Sequence, residues 1–323
     1  MTVEHTVSEA SLEGGLTGLA LASPDGLVAE FCPAAGMVGC SLTDRGVQVL
    51  GLRGGLGHYL DDAKTFGIPL LAPWANRLAS PEYTVAGVTA DVTGVPGVHL
   101  DGNGLPIHGL LAAASGWNVR DIVAGPAGAS VTAALQFDES RPEFPGFPFP
   151  HEVAVTVRLN GRALTITTAI TPLTDQAVPV AFGWHPYFAL PDVPRADWVL
   201  RQPFTRRVVL DDRCIPTGAL EDVAASEAPL GSRTFDDLFT EVVPGTSAWI
   251  SGGGRRVGIT YLTGYPYAVV FAPPDADLVA LEPMTAPTDP FAGRFPITLA
   301  AAGETHTAVF AIEVAVDDPG MQS

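Results

Sequence analysis

Between His151 and Ile170 the chain alternates with a period of two on both sides of an Asn-Gly pair. Val153, Val155 and Val157 alternate with Ala154, Thr156 and Arg158; after Asn160-Gly161, Leu164, Ile166 and Thr168 alternate with Thr165 and Thr167. Such a segment pairs with itself as a β-hairpin, and Asn-Gly predicts a type I′ turn, which needs positive φ at both central residues. Ser130–Phe137 and Thr307–Val316 repeat the pattern, and Val47–Leu52, Arg207–Leu210, Val257–Leu262 and Ala268–Phe271 read as further strands. Pro24-Asp25-Gly26 and Pro273-Pro274-Asp275 punctuate them, and Gly252-Gly253-Gly254 reads as a hairpin tip. With 35 Gly and 29 Pro among 323 residues, long helices are excluded. Glu221–Ala228 is the one short helical turn expected. The fold class is all-β, with many strands in two packed sheets.

Hydrophobic residues make up 47% of the chain, enough for a large core. No linker or break in composition divides residues 1–323, so one domain is expected, with 1–15 and 317–323 as loose ends. The net charge of −18 argues against nucleic acid or an anionic membrane as partner. Lys64 is the sole lysine, which makes Schiff-base chemistry a poor fit. Cys32, Cys40 and Cys214 form no C-x-x-C pair and suit a reducing compartment. The acidic N-terminus has no signal-like pattern, and no apolar run is long enough to span a bilayer; the expected location is the cytoplasm. Dinucleotide, phosphate-loop, zinc-protease, calcium-loop and nucleophile-elbow motifs do not occur. Cofactor-free chemistry, with no metal, or simple binding remains.

Several polar residues stand in apolar settings. His185 lies within Phe182-Gly183-Trp184-His185-Pro186-Tyr187-Phe188, where an imidazole can work near neutral pH or simply fill the core. His108 follows a Gly-rich loop and precedes Gly109. Asn76-Arg77 follow an apolar run with Trp74, and an Arg there can serve as a fork for hydroxyls or a carboxylate. Glu282 ends the run Val279-Ala280-Leu281; partial desolvation there raises a carboxyl pKa and suits a base, though a strand-edge acid is as ordinary a reading. Asp236-Asp237 are flanked by Phe235 and Phe239. Trp74, Trp184, Tyr187 and Phe188 can stack on a sugar or pack in the core. His5 and His306 read as solvent residues.

Taken in order, Pro73-Trp74-Ala75-Asn76-Arg77, Ile107-His108-Gly109, Gly183-Trp184-His185-Pro186-Tyr187-Phe188, Phe235-Asp236-Asp237-Leu238-Phe239 and Glu282-Pro283 span about 210 residues. This series resembles the aldose 1-epimerase (galactose mutarotase) family. The resemblance implies one large twisted β-sandwich with an open carbohydrate cleft. It also implies cofactor-free interconversion of the α and β anomers of a free monosaccharide, glucose or galactose in type. Glu282 would be the general base and His185 the general acid. His108, Arg77 and Asp236 would grip the sugar, and Asn76 would support Arg77 or the substrate. Leu110, Ala189, Asp237, Met284 and Phe291 depart from the best-known members. Two other functions fit the same fold: a hexose-6-phosphate epimerase, and a non-catalytic carbohydrate-binding or sugar-sensing protein. Arg206-Arg207 and Arg255-Arg256 are the only adjacent basic pairs in an acidic chain, which favours a neutral sugar. A matched acid and base favours catalysis over binding alone.

Overall fold

The alternating segments form long antiparallel strands. In the computed structural model, which describes residues 4–62 and 64–316, His151–Asn160 pairs with Ala163–Pro172 and lies inside a nine-stranded sheet. In order, this sheet runs Asn118–Gly125, Gly128–Phe137, His151–Asn160, Ala163–Pro172, His306–Val316, Arg255–Thr263, Ser247–Gly252, Val199–Gln202 and Ser226–Pro229. Opposite it lies an eight-stranded sheet that includes Arg206–Leu210, Phe235–Phe239, Tyr267–Ala272, Val279–Met284, Gly183–Trp184 and Tyr187–Phe188. Val155, Val157, Ile166 and Phe310 from the first sheet and Trp184, Phe188, Val270 and Leu281 from the second share one core. This is the sandwich predicted from periodicity. A five-stranded antiparallel sheet from the N-terminal segment, Thr6–Ser11 through Val47–Gln48, adds to it.

The hairpin turn falls one residue later than expected. Asn160 pairs with Ala163, so Gly161 and Arg162 form the loop, and of the two only Gly161 takes the left-handed region (φ 57°). That is the φ pattern of a type II′ turn, which needs glycine only at its first central position.

Three further expectations are corrected. Residues 4–15 are not loose: Thr6–Ser11 pairs along its whole length with Thr17–Ala22. His5 is buried, and its Nε2 accepts the Gly161 N–H at 3.1 Å; His306 is half-buried and opens the last strand. Glu221–Ala228 is not helical but divides between the strands Pro216–Asp222 and Ser226–Pro229. The α-helix among the described residues is Gly55–Asp62, which buries Leu56 and Tyr59 one turn apart behind Gly54-Gly55. The predicted loose tail, 317–323, lies outside the described residues.

His151 is a core histidine. Its Nδ1–H donates to the Phe149 carbonyl at 2.6 Å, and burial holds its pKa down to about 4. The unfolded chain therefore takes up a proton near pH 6.5 that the folded chain refuses until about 4, so stability falls as pH drops through that window. Denaturant unfolding at a series of pH values should show wild-type stability falling more steeply than that of His151→Phe between 6.5 and 4. The difference should be about 1.4 kcal/mol per pH unit; parallel curves would contradict the assignment.

Candidate active site

The strand Val279–Met284 is buried on both faces, and its two faces serve different purposes. Val279 and Leu281 point into the sandwich core, while Ala280 and Met284 pack in separate clusters on the other face. Strand periodicity puts Glu282 on that second face. The neighbouring strand Tyr267–Ala272 follows the same rule, with Val270 and Ala272 in the core and Phe271 toward Glu282's face. Phe271 lies opposite Asp236, and Val270 opposite Asp237. Parity therefore turns Asp236 to the side of Glu282 and Asp237 away from it; Asp237 instead pairs with Arg207 at 2.9 Å.

His185 reaches the same face between two short strands. Trp184 turns into the core, where its Nε1–H donates to Thr168 Oγ1 at 2.9 Å, and the His185 backbone N–H donates to Pro69 O at 3.1 Å. Two loops bring the remaining groups. The segments around Arg77 and Ile107 bridge one another; the His108 N–H donates to Asn76 O at 2.9 Å and the Leu78 N–H to Pro106 O at 2.9 Å. Asn76 and His108 both hold positive φ (54° and 65°), a conformation that non-glycine residues keep only where the surroundings impose it.

Asn76, Arg77, His108, His185, Asp236 and Glu282 thus line one cavity of about 130 Å³, which Arg53, Thr65, Ile107, Tyr187 and Phe271 complete. Its size is close to that of a cavity of ~150 Å³ that takes up a six-membered ring such as benzene. Trp74, Trp184 and Phe188 are not part of it; they belong to the core.

At its centre His185 Nε2 lies 3.1 Å from Glu282 Oε1, with both side chains buried. Burial pushes the Glu282 pKa well above the ordinary carboxyl value, and the nearby Asp236 adds to this. Burial likewise pulls the His185 pKa well below that of a free imidazole, helped by His108 and Arg53. Both shifts favour the uncharged forms, a protonated carboxyl beside a neutral imidazole 3.1 Å away. His108 is held neutral by burial and by Arg77, its pKa pulled down to about 3. Burial also raises the Asp236 pKa against the field of Arg77. Arg77 Nε donates to Asp101 Oδ2 at 2.7 Å, and Asp101 Oδ1 accepts the Asn103 and Leu105 N–H groups at 2.8 and 2.9 Å. One carboxylate thereby fixes both the guanidinium and the loop that carries His108.

Among the described residues Asn76 Nδ2, His108 Nδ1, His185 Nδ1 and Glu282 Oε2 are buried without a protein hydrogen-bond partner. Buried polar atoms normally find partners, so the cluster is suited to a hydroxyl-rich guest that donates and accepts at several points. Sequence reasoning missed Arg53, Thr65 and Tyr187 as members of the wall. Tyr187 was identified only as a possible stacking ring; the alternation Trp184-in, His185-out carried across Pro186 puts it on the cavity side.

The sequence model of one family, described as aldose 1-epimerase, matches residues 37–313, most of the chain. YihR of Escherichia coli K12 is 22% identical over 258 residues, covering 75% of this chain and 77% of its own. A galactose mutarotase-like protein from Clostridium acetobutylicum superimposes with a TM-score of 0.84 at 18% identity, covering 97% of this chain and 99% of its own. The GalM/aldose epimerase homologue of C. elegans gives 0.76 at 20% identity, over 97% and 100%. Galactose 1-epimerase from Lactobacillus acidophilus gives 0.76 at 12% identity, over 98% and 100%. At these identities the structural matches establish the fold.

Gly109 makes the close packing of the two loops possible. It holds φ 74°, and a Cβ on it would come within 2.2 Å of the Ala72 carbonyl oxygen, a backbone atom with little freedom to move. Gly109→Ala should lower the stability measured by denaturant unfolding by about 2 kcal/mol or more. A loss below about 0.5 kcal/mol would show that the loop pairing tolerates a side chain there.

Proposed function

We propose that this chain, which belongs to the aldose 1-epimerase family, interconverts the α and β anomers of a free aldose by opening and reclosing the ring. The observation that carries this reading is the buried His185–Glu282 pair on the wall of a cavity of about 130 Å³ lined largely by polar side chains. Ring opening removes a proton from the anomeric hydroxyl and delivers one to the ring oxygen. A site that performs both at once needs one ionised acceptor and one protonated donor, which the pair supplies once its proton passes from the carboxyl, where burial favours it, to the imidazole.

With an aldose bound, the Glu282 carboxylate takes the proton from O1 as His185 gives its proton to the ring oxygen O5. The C1–O5 bonding pair leaves with O5, and the O1 lone pair forms the aldehyde. Rotation about C1–C2 presents the other face of the carbonyl. O5 then attacks C1 while losing its proton to His185, O1 takes the proton back from Glu282, and the ring closes as the other anomer. The pair ends in its starting state, so no redox partner or external acid is consumed. Arg77, His108, Asp236 and Asn76 hold the hydroxyls through the cycle. A positioned acid or base contributes about 10²–10⁴-fold, and confining the flexible open-chain sugar adds to this.

A phosphorylated substrate held by the adjacent arginines receives no support from geometry. Arg206 pairs with Asp222, Arg207 with Glu221 and Asp237, and Arg255 with Asp44, and none of these arginines lines the cavity. A purely binding protein would carry the desolvation cost of a His–Glu pair without using it.

Polarimetry on freshly dissolved α-glucose and α-galactose should show the approach to the equilibrium rotation accelerated by the protein. His185→Ala and Glu282→Ala should each lose about 10²-fold or more in kcat while remaining folded by circular dichroism; near-parental rates would remove that residue from the mechanism. The pH profile of kcat should be a broad plateau, falling on the acid side as His185 and Glu282 both become protonated and on the alkaline side as the shared proton is lost. Its limbs should be displaced from the ordinary values of 4.5 and 6.5 for the separate groups, because burial raises the one and lowers the other. A narrow peak between those values would mean that the two groups titrate as though exposed.

A further inference from the structure

The cavity wall carries two guanidinium groups, and their charges are disposed of differently. Arg77 is matched by Asp101, whereas no carboxylate among the described residues lies within ion-pair distance of Arg53. Arg53 stands at the exposed mouth of the cavity, with its backbone held at φ 45° just before the helix Gly55–Asp62. Its Nη1–H donates to the Tyr187 hydroxyl at 3.0 Å, and its guanidinium lies 5.3 Å from the centre of that ring. The same hydroxyl is 2.7 Å from Thr65 Oγ1 and 3.2 Å from His185 Nε2. The Tyr187 ring also stacks on the imidazole, with centroids 4.3 Å apart. Tyr187 and Thr65 thus hold Arg53 in place without neutralising it. One N–H of its fork is spent on a neutral hydroxyl, and the remaining donors stay available.

The place of this charge relative to the chemistry sets what it can bind. On the reading proposed above, His185 works on the ring oxygen. The carbon beside that oxygen is C5, which bears C6. On that reading a guanidinium one hydroxyl away from His185 is near enough to meet a substituent on C6. We propose that Arg53 is a specificity-determining residue that selects an aldose with a compact monoanion at C6, a hexuronate, its fork receiving the carboxylate. A planar guanidinium matches a carboxylate in shape and charge. A phosphate dianion calls for more than one cation, and Arg77 is already paired. The adjacent basic pairs point to a neutral sugar, but Arg53 is a lone arginine outside those pairs and is supplied by a turn.

This inference rests on the anomer-exchange reading, and the test separates the two. Exchange between anomers at equilibrium can be followed by NMR exchange spectroscopy at neutral pH for glucuronate, galacturonate, glucose, galactose and glucose 6-phosphate. The expected result is a kcat/KM for a hexuronate at least tenfold above that for the matching neutral hexose. In Arg53→Gln that ratio should fall at least tenfold, and Arg53→Lys should recover part of it. Accelerated exchange of neutral hexoses with no advantage for the uronates, or equal losses on both in Arg53→Gln, would overturn the role of Arg53 and leave the anomer-exchange reading standing. A preference for glucose 6-phosphate over the uronates would overturn the assignment to a carboxylate. No acceleration for any of the sugars would overturn the anomer-exchange reading and this one with it.

Discussion

The contact between His185 and Glu282 is the interaction on which the rest of the site depends. Each group on its own would cost several kcal/mol to bury as an ion. Together, 3.1 Å apart, they need only one proton between them to be neutral as a unit. Burial raises the carboxyl value and lowers the imidazole value, so it favours the uncharged form of both groups. A carboxyl and an imidazole in this state can accept at one atom and donate at another without drawing on solvent.

The sandwich supports that contact through strand parity. A strand buried on both faces can give one face to the core and the other to a cavity, and Val279–Met284 does so with Leu281 and Glu282 as adjacent residues. The loops act differently. They carry Asn76 and His108 in left-handed conformations and are tied by backbone bonds between their segments and by Asp101, which serves Arg77 and its own loop at once. The arrangement combines rigid placement of His185 and Glu282 with close-fitting loops that carry Asn76, Arg77 and His108.

The long strands were legible because they are half-buried and show a clear period of two, as in His151–Asn160 and Ala163–Pro172. Strands buried on both sides or only two residues long, such as Gly183–Trp184 and Leu70–Leu71, carry no such signature, and their place is set by tertiary pairing. The helix Gly55–Asp62 was hidden by its glycines, and the N-terminal strand by its small and polar residues. The order of the motifs picked out six residues that converge on one cavity, but neighbouring residues were harder to separate. Asp236 and Asp237 differ in parity, which becomes decisive only once the partner strand and its register are known. Arg53 and Thr65 were invisible because they reach the cavity from the two ends of a helix that the sequence did not reveal.

The central claim is that His185 and Glu282 hold one proton jointly across the neutral range. ¹⁵N NMR of the His185 ring, followed through the pH interval in which a free imidazole titrates, tests it most directly. The account predicts no step at the ordinary value of about 6.5, because burial holds the imidazole well below it. A sigmoidal change centred there, as for a histidine in solvent, would contradict it.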